Sequence, residues 1–420
     1  MITSGYNLTA TERVLPRMAL DFTTASLDSR VTITRSLNTA TRINSSGYIE
    51  TVNANLPRFD FSPTSVGTCR GLLIEESRAN LVLQSSDFTT ASWTKTDTTP
   101  TAASGTSPDG TNTATLLTQG SAAASEVLQV MVVGAGNTVT YSRYVKIGNA
   151  QWYMLQIRNG GATSFAYAFF DLTNGVVGST SSGGGFATLY GSTITPAGGG
   201  WFRVTFTVMI GAAFGTAVFA SSSVTANGTA TPASGGTRYE WGCQAEVGAF
   251  ATSYIPTTTT SLTRNADAVN MTGTNFSNWF NASEGTFALS GSIFVNQGAT
   301  TVNFLQVSNG VSNSVAMVLG MFDLTGPLWQ VLNTTTSANL DLGTLTLNTV
   351  FNMAGTYKVD SFAGAMNGGT VQTDSTGTIP TVSQMGIGNR LSGPYMNGHV
   401  RKIQYWPQRL LNAEVQAFSK

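Results

Sequence analysis

The sequence predicts an all-β protein: an N-terminal irregular arm or small domain, then two β-sandwich (jelly-roll) domains, then a short C-terminal helix. Three observations carry that prediction. Only 10% of the 420 residues are Asp, Glu, Lys or Arg, against about 25% in an ordinary soluble domain. Gly, Ser, Thr and Asn take their place; strands face water with hydroxyls and turns use Gly and Asn, whereas exposed helix faces need charge. Apolar and polar residues alternate through much of the chain, and Gly-rich turns separate the alternating runs.

Residues 1–78 carry short strand candidates, "VTITR" (Val31–Arg35) and "GLLIEE" (Gly71–Glu76), between turn-rich stretches such as "NSSGYIE" and "DFSPTSVG". Such short strands do not close a large core alone, so the block is expected to pack on something else and to dock or oligomerise. Residues 79–262 hold longer strands. "NTVTYSRYVKI" sets Val139, Tyr141, Arg143 and Val145 against Thr138, Thr140, Ser142 and Tyr144. "QWYMLQIRN", "SFAYAFFDLTNGVV", "GWFRVTFTVMI", "TAVFASSSV" and "TRYEWGCQAEVG" follow, broken by turns such as "PAGGG" and "PASGGT". This spacing is that of a sandwich or jelly roll.

"TSYIPTTTTSLTRNAD" (Thr252–Asp267) reads as a Pro/Thr linker, and residues 268–420 as a second sandwich. Its closing strand is "HVRKIQYW". Alternation there puts His399, Arg401, Ile403 and Tyr405 on one face and Val400, Lys402, Gln404 and Trp406 on the other. Pro407 ends the strand because it has no N–H for the ladder. Asn412 is placed to cap a helix with Glu414 in its first turn, and Leu411, Val415 and Phe418 form a stripe to lie on the sheet.

The formal net charge is zero, which argues against a general electrostatic grip on nucleic acid or an anionic membrane. Arg401, Lys402 and Arg409 near Tyr405 and Trp406 are too few to reverse that. No stretch approaches the ~18 continuous apolar residues of a membrane-spanning helix. The opening "MITSGYNLTATERVLPRMALDF" lacks a basic segment followed by an apolar one, so no secretory signal is expected. Cys69 and Cys243 read as two buried free thiols in different blocks.

"PRMALDFTTASLDSRVTITRSLNTATRINSSGYIETVNANLPRFDFSP" with "RGLLIEESRANLVLQSSDFTTASWTK" resembles the N-terminal block of phage virion proteins of the head-spike or tail-fibre type. "SPDGTNTATLL", "GWFRVTFTV" and "WGCQAEVGAFATSYIPTTTTSLTRNAD" resemble carbohydrate-binding-module jelly rolls. "EGTFALSGSI", "NTVFNMAGTYKVDSFAGAMNGG" and "MNGHVRKIQYWPQRLLNAEVQAF" are similar to concanavalin A-like, laminin-G-like sandwiches. The resemblance implies a fibre, spike or decoration subunit on the tail or capsid of a bacteriophage, assembled in the bacterial cytoplasm and exposed on the released particle. It implies a homo-oligomer, by analogy a trimer, that meets other virion proteins through the N-terminal block.

Chemistry-bearing residues are sparse. With the single histidine, His399, there is no multi-histidine zinc site, and no Gly-x-Ser-x-Gly elbow accompanies it. Glu75 and Glu76 are strand neighbours that point to opposite faces, so they do not form a glycosidase pair; one is expected to pair with Arg78 or a buried backbone group. No cofactor is expected. A structural calcium is the one metal left open, because sandwiches hold it in loop oxygens; "SPDGTNTA" offers Asp109 and Asn112 and lacks the other ligands.

Aromatic residues are the strongest lead, because sugar CH faces stack on Trp and Tyr while side-chain amides and guanidiniums bond the hydroxyls. Trp152 and Tyr153 cannot both face inward, so one is expected on a surface with Gln156 and Arg158. Trp93, Trp279, Trp329 and Tyr395 are further candidates, and Trp201 and Trp241 read as core. The leading expectation is a virion protein with lectin-like adhesion to host surface glycans and no enzymatic activity. The rivals are a ligand-free spacer, a polysaccharide depolymerase or glycosidase, and a free secreted lectin.

Overall fold

A computed structural model of the chain describes residues 15–184, 188–211, 216–295, 302–322, 326–390 and 393–420. The opening segment read for a secretory signal lies largely outside them. The described strands pair antiparallel throughout and build two sandwiches.

The middle sandwich follows the alternation closely. One sheet runs Thr188–Gly198, Trp201–Met209, Thr138–Ile147, Thr237–Val247, Thr115–Gln119, Thr98–Thr101. The other runs Val176–Gly183, Phe165–Asp171, Trp152–Arg158, Thr216–Val224, Glu126–Val132, Thr94–Thr96. Val139, Tyr141 and Val145 enter the core between them, with Leu155, Phe170, Phe206 and Phe219. Arg143 keeps the same phase and is fully buried. Its charge is met by Glu240, which also accepts from Arg238 Nε at 2.6 Å and Ser221 Oγ at 2.8 Å.

The second sandwich is not made from residues 268–420 alone. One sheet runs Gln372–Asp374, Phe362–Met366, Phe351–Lys358, Glu284–Ile293, Gly398–Trp406, Cys69–Ile74, Phe59–Phe61, and Met18–Asp21 also pairs with Gly398–Trp406. The facing sheet begins with Thr32–Thr34 beside Ala268–Thr272 and continues through Gln384–Ile387, Val302–Ser308, Val315–Phe322, Gly326–Asn333 and Thr335–Asp341. Met18, Leu20, Phe22, Ile33, Leu72 and Ile74 therefore share one core with Phe287, Leu289, Met353 and Tyr405. The N-terminal block supplies strands to this sandwich rather than standing as an arm or small domain. Its strands are too short to bury a core of their own, and they complete two sheets they could not form.

The middle sandwich is thus inserted between two halves of the other. Arg78–Asn80 leads out and Leu262–Arg264 returns, and the two pair with each other. The expected Pro/Thr linker is anchored here: Tyr254 and Ile255 are buried, and Ser253, Arg264 and Asp267 join a polar network. At its centre Arg58 is fully buried and donates from Nη1 to Glu75 Oε2 at 2.7 Å, to Ser253 Oγ at 2.9 Å and to the Thr41 carbonyl at 3.1 Å. Arg58 also pairs with Asp267, to which Arg35 Nη1 donates at 2.8 Å. Glu75 accepts from Ser253 N at 2.7 Å and lies 3.6 Å from Arg264. Burial alone would raise the Glu75 pKa, but Arg264 and Arg58 outweigh it and hold the carboxyl well below its ordinary range. Glu76 points the other way and pairs with Arg78.

Two details of the closing segment differ from the sequence pattern. In Gly398–Trp406 the register slips opposite Ser290 and Gly291, so Arg401 is the extra residue of a bulge. Val400 and Ile403 therefore both point into the core, while His399 and Arg401 face outward on the other side. The terminal helix, Asn412–Phe418, begins after Leu411, whose N–H is accepted by Glu414 at 2.7 Å. Asn412 is its first residue rather than its cap. Leu410, Val415 and Phe418 pack on Trp406 and the small residues Ala288, Ala354 and Ala365, while Leu411 is 65% exposed. Both cysteines are buried free thiols.

Removing one partner of a buried, hydrogen-bonded ion network leaves the other charges uncompensated. Asp267→Ala is expected to lower the unfolding free energy by about 3–5 kcal/mol, read by chemical denaturation against wild type. Glu240, like Glu75, has a depressed folded-state pKa: burial raises it, but Arg143 and Arg238 bring it to about 2. A depressed carboxyl contributes its stability above its unfolded value of 4.5 and loses it as pH falls toward the folded value. The melting temperature is therefore expected to fall as pH drops from 4.5 toward 2, and Glu240→Gln to flatten that fall.

Candidate functional site

The outer face of the sheet that carries Trp152–Arg158 gathers the sequence candidates that remain accessible. Alternation points Tyr153, Leu155 and Ile157 into the core and Trp152, Met154, Gln156 and Arg158 outward. Tyr153 is fixed inward by more than apolar contact, because its hydroxyl donates to Glu240 Oε1 at 3.1 Å. Trp152 is the exposed member of the pair, and only in part; it packs with Met154, Phe169, Val224 and Tyr167.

The neighbouring strand Phe165–Asp171 adds what the sequence reading missed. Phe165, Tyr167 and Phe169 point outward while Ala166, Ala168 and Phe170 fill the core in unbroken alternation; the register slip here lies in the edge strand, where Gly178 and Ser179 stand opposite Phe169. The signal was present in "SFAYAFF", where aromatics alternate with alanines. The Phe165 and Tyr167 rings stack at 4.6 Å and 17°. Beyond them the edge strand Val176–Gly183 is glycine- and serine-rich. Side chains at Gly178 and Gly183 would collide with the Trp152 and Phe165 rings, so the rings occupy the space these glycines leave.

Polar groups lie among the rings. Gln156 sits opposite Tyr167 in the ladder and donates from Nε2 to its hydroxyl at 3.2 Å. Burial raises the Tyr167 pKa, against the lowering effect of Arg158 and Gln156, so the hydroxyl stays protonated at neutral pH. Arg158 Nη2 pairs with Glu126 Oε1 at 2.5 Å, both side chains being under 15% exposed. The pair cancels in charge but leaves further guanidinium donors and a carboxylate acceptor. The set can bond hydroxyls in both senses beside exposed ring faces, and it carries no net charge.

The other candidates lie elsewhere. Trp93, Trp329 and Trp279 are at most 3% exposed; their indole N–H groups go to the Gln84, Thr356 and Asn275 carbonyls. They and Tyr153 are core residues and offer no ligand a face. Tyr395 is half-buried against the second sandwich, far in the fold from Trp152. Trp201 and Trp241 are buried, as expected, in a cluster on the outer face of the first middle sheet with Tyr144 and Tyr254. The Asp109 carboxylate is occupied by Ser107 Oγ at 2.6 Å and Thr111 N at 3.1 Å, which makes a turn. Among the described residues no group of three His, Cys, Asp or Glu side chains is placed to hold a metal.

A cleft of about 1010 Å³ lies between the two sandwiches, with walls from all three blocks. His399 lies on it, 2% exposed, with Nε2 at 3.0 Å from Asp60 Oδ2 and its ring edge-on to Phe294 at 4.9 Å. Asp60 Oδ1 accepts the Ile43 N–H at 2.8 Å. The lone histidine thus ties the N-terminal block to the closing strand.

No family model and no curated protein matches the sequence. Among solved structures, the CBM40 of the Ruminococcus gnavus IT-sialidase, bound to α2,3-sialyllactose, aligns with a TM-score of 0.29 and 14% identity, over 33% of this chain and 84% of that one. The NanB sialidase of Streptococcus pneumoniae aligns with a TM-score of 0.30 and 11% identity, over 36% of this chain and 26% of that one. A Trypanosoma rangeli sialidase gives 0.27 and 13%, over 36% and 25%. At this level of similarity no ligand and no residue role carries over to this chain.

Proposed function

We propose that the chain is a non-enzymatic saccharide-binding subunit, borne as a homo-oligomer on the surface of a virus particle. The observation that carries the binding is the outer face of the middle sandwich. Trp152, Phe165 and Tyr167 offer ring surface for the CH faces of a sugar. Gln156, Tyr167 and the Arg158–Glu126 pair offer donors and acceptors for its hydroxyls. The Arg158–Glu126 pair cancels in charge and leaves no guanidinium unbalanced on the face, which suits a neutral saccharide. Its openness suits a stretch of polysaccharide rather than an enclosed small molecule.

The particle assignment is supported by the resemblance of the N-terminal block to head-spike and tail-fibre proteins. An open face with a few half-buried rings is expected to bind weakly, and repetition on an oligomer multiplies weak contacts into useful avidity. Glycoside hydrolysis needs two free carboxyls about 5–9.5 Å apart; here Glu126 is paired with Arg158, and Asp171, opposite Trp152, is taken up by Gln151, Thr173 and Asn174.

Purified protein on an array of bacterial surface glycans is expected to retain neutral hexose-containing chains. Trp152→Ala and Tyr167→Ala are each expected to weaken that retention about tenfold while the protein stays folded by circular dichroism, with a modestly lower melting temperature because both rings are half-buried. Retention that survives both substitutions would overturn the assignment of the face. No retention at high valency would leave a ligand-free spacer.

A further inference from the structure

The cleft between the sandwiches differs from the outer face in its charge. Of its carboxylates, Glu75 is consumed by Arg58, Arg264 and Ser253. Asp60 is held by His399 and the Ile43 N–H. Of its guanidiniums, Arg42 is paired with Glu50 at 2.7 Å. Arg70, 41% exposed, comes only within 4.0 Å of Asp60. Arg203 and Arg401 make no ion pair within 4.0 Å among the described residues; burial raises the pKa of Glu246, and Arg203 opposes that rise only at longer range.

Their donors are also under-used. Arg203 lies over the Tyr144 ring at 5.4 Å and gives one bond, from Nη2 to Ser142 Oγ at 3.2 Å; its Nε is buried without a partner. Arg401, turned outward by the bulge, makes a single long contact of 3.5 Å with the Arg70 carbonyl. A buried or half-buried guanidinium with idle N–H groups is costly to maintain unless something accepts from it.

The wall around Arg203 is made of hydroxyls. Thr193, Thr205 and Thr207 line the cleft, and Thr193 and Thr205 lie 2.6 Å apart across their strands. Phe250 and Phe294 supply apolar surface. The volume, about 1010 Å³, stands at the upper end of ligand sites, which run from about 300 to 1,000 Å³. That is room for an oligomer rather than a single small ion.

We propose that this cleft is a second binding site, independent of the outer face, for an anionic oligosaccharide. Its carboxylate or phosphate groups meet Arg203 and Arg401, with Arg70 at the margin. The threonine wall and the two phenylalanines meet its hydroxyls and ring faces. The two sites then divide labour by charge: a neutral saccharide on the outer face and an acidic one between the sandwiches.

Calorimetric titration of the full chain at low salt tests this. The probes are tetragalacturonate, a phosphate-bearing maltotetraose, and unmodified maltotetraose as the neutral control. At least one anionic probe is expected to bind, with an affinity that falls as salt rises and drops tenfold or more in Arg203→Gln and Arg401→Gln. Trp152→Ala is expected to leave it unchanged, so failure of the outer face and failure of the cleft are separable. Which anionic probe binds identifies the acidic group. Should Arg203→Gln fail to fold, Arg401→Gln and Arg70→Gln, both at accessible side chains, decide the matter. Absence of binding by both anionic probes, or affinity indifferent to the arginine substitutions, overturns the proposal.

Discussion

Everything in the molecule hangs on the buried pairing of Arg58 with Glu75 and Asp267. Arg58 and Glu75 come from the N-terminal block and Asp267 from the returning chain, with Arg35, Arg264 and Ser253 closing the network. The place is where the inserted sandwich joins its host. Apolar packing would hold such a junction without fixing its angle, because hydrophobic contact is non-directional. A guanidinium between two carboxylates has few good geometries. The network therefore sets how the sandwiches stand relative to each other, and so the width of the cleft between them. Glu75 is both a member of this network and part of the cleft wall.

How much of this was legible in the sequence varied with distance along the chain. Alternation in "NTVTYSRYVKI" assigned every side chain to its correct face, Arg143 included, because a strand's period is local. What it could not show was that Glu240, 97 residues on, would neutralise that arginine. "QWYMLQ" required one ring outside and one inside, and the choice fell to Tyr153 because only a phenol reaches Glu240 with a hydroxyl. The bulge at Arg401 has no signal of its own. It is set by the opposing strand at Ser290 and Gly291, and it moved Ile403 to the face opposite His399. Leu410 and Leu411 are chemically alike, so which of them is buried turned on one residue of helix start.

The N-terminal block is where local pattern says least. Its strands are short, interrupted and poor in pattern, the marks of a segment that borrows its core. That it must pack on something follows from the short strands; that it packs by sharing two sheets with residues some two to three hundred positions later is a property of topology, to which local pattern is blind. The same holds for the sites. The outer face is built from neighbouring strands, and Trp152, Gln156 and Arg158 could be picked from one nonapeptide. The cleft draws Arg203 and Arg401 from different sandwiches, and nothing in the sequence joins them.

The shared sheets also have a kinetic side. Cys69–Ile74 pairs with Gly398–Trp406, so the early strand must wait for more than three hundred residues to be made before its partner exists. At synthesis rates of ~5–20 residues per second the delay is on the order of tens of seconds. During it the inserted sandwich has everything it needs to fold, while strands of the N-terminal block present unpaired edges in the crowded cell. Such edges invite pairing with any nearby chain, and in a cell making many copies the nearest chain is another of the same kind. The order of elements along the polypeptide thus makes ribosome spacing and chaperone access, as much as the finished contacts, a condition for obtaining this fold.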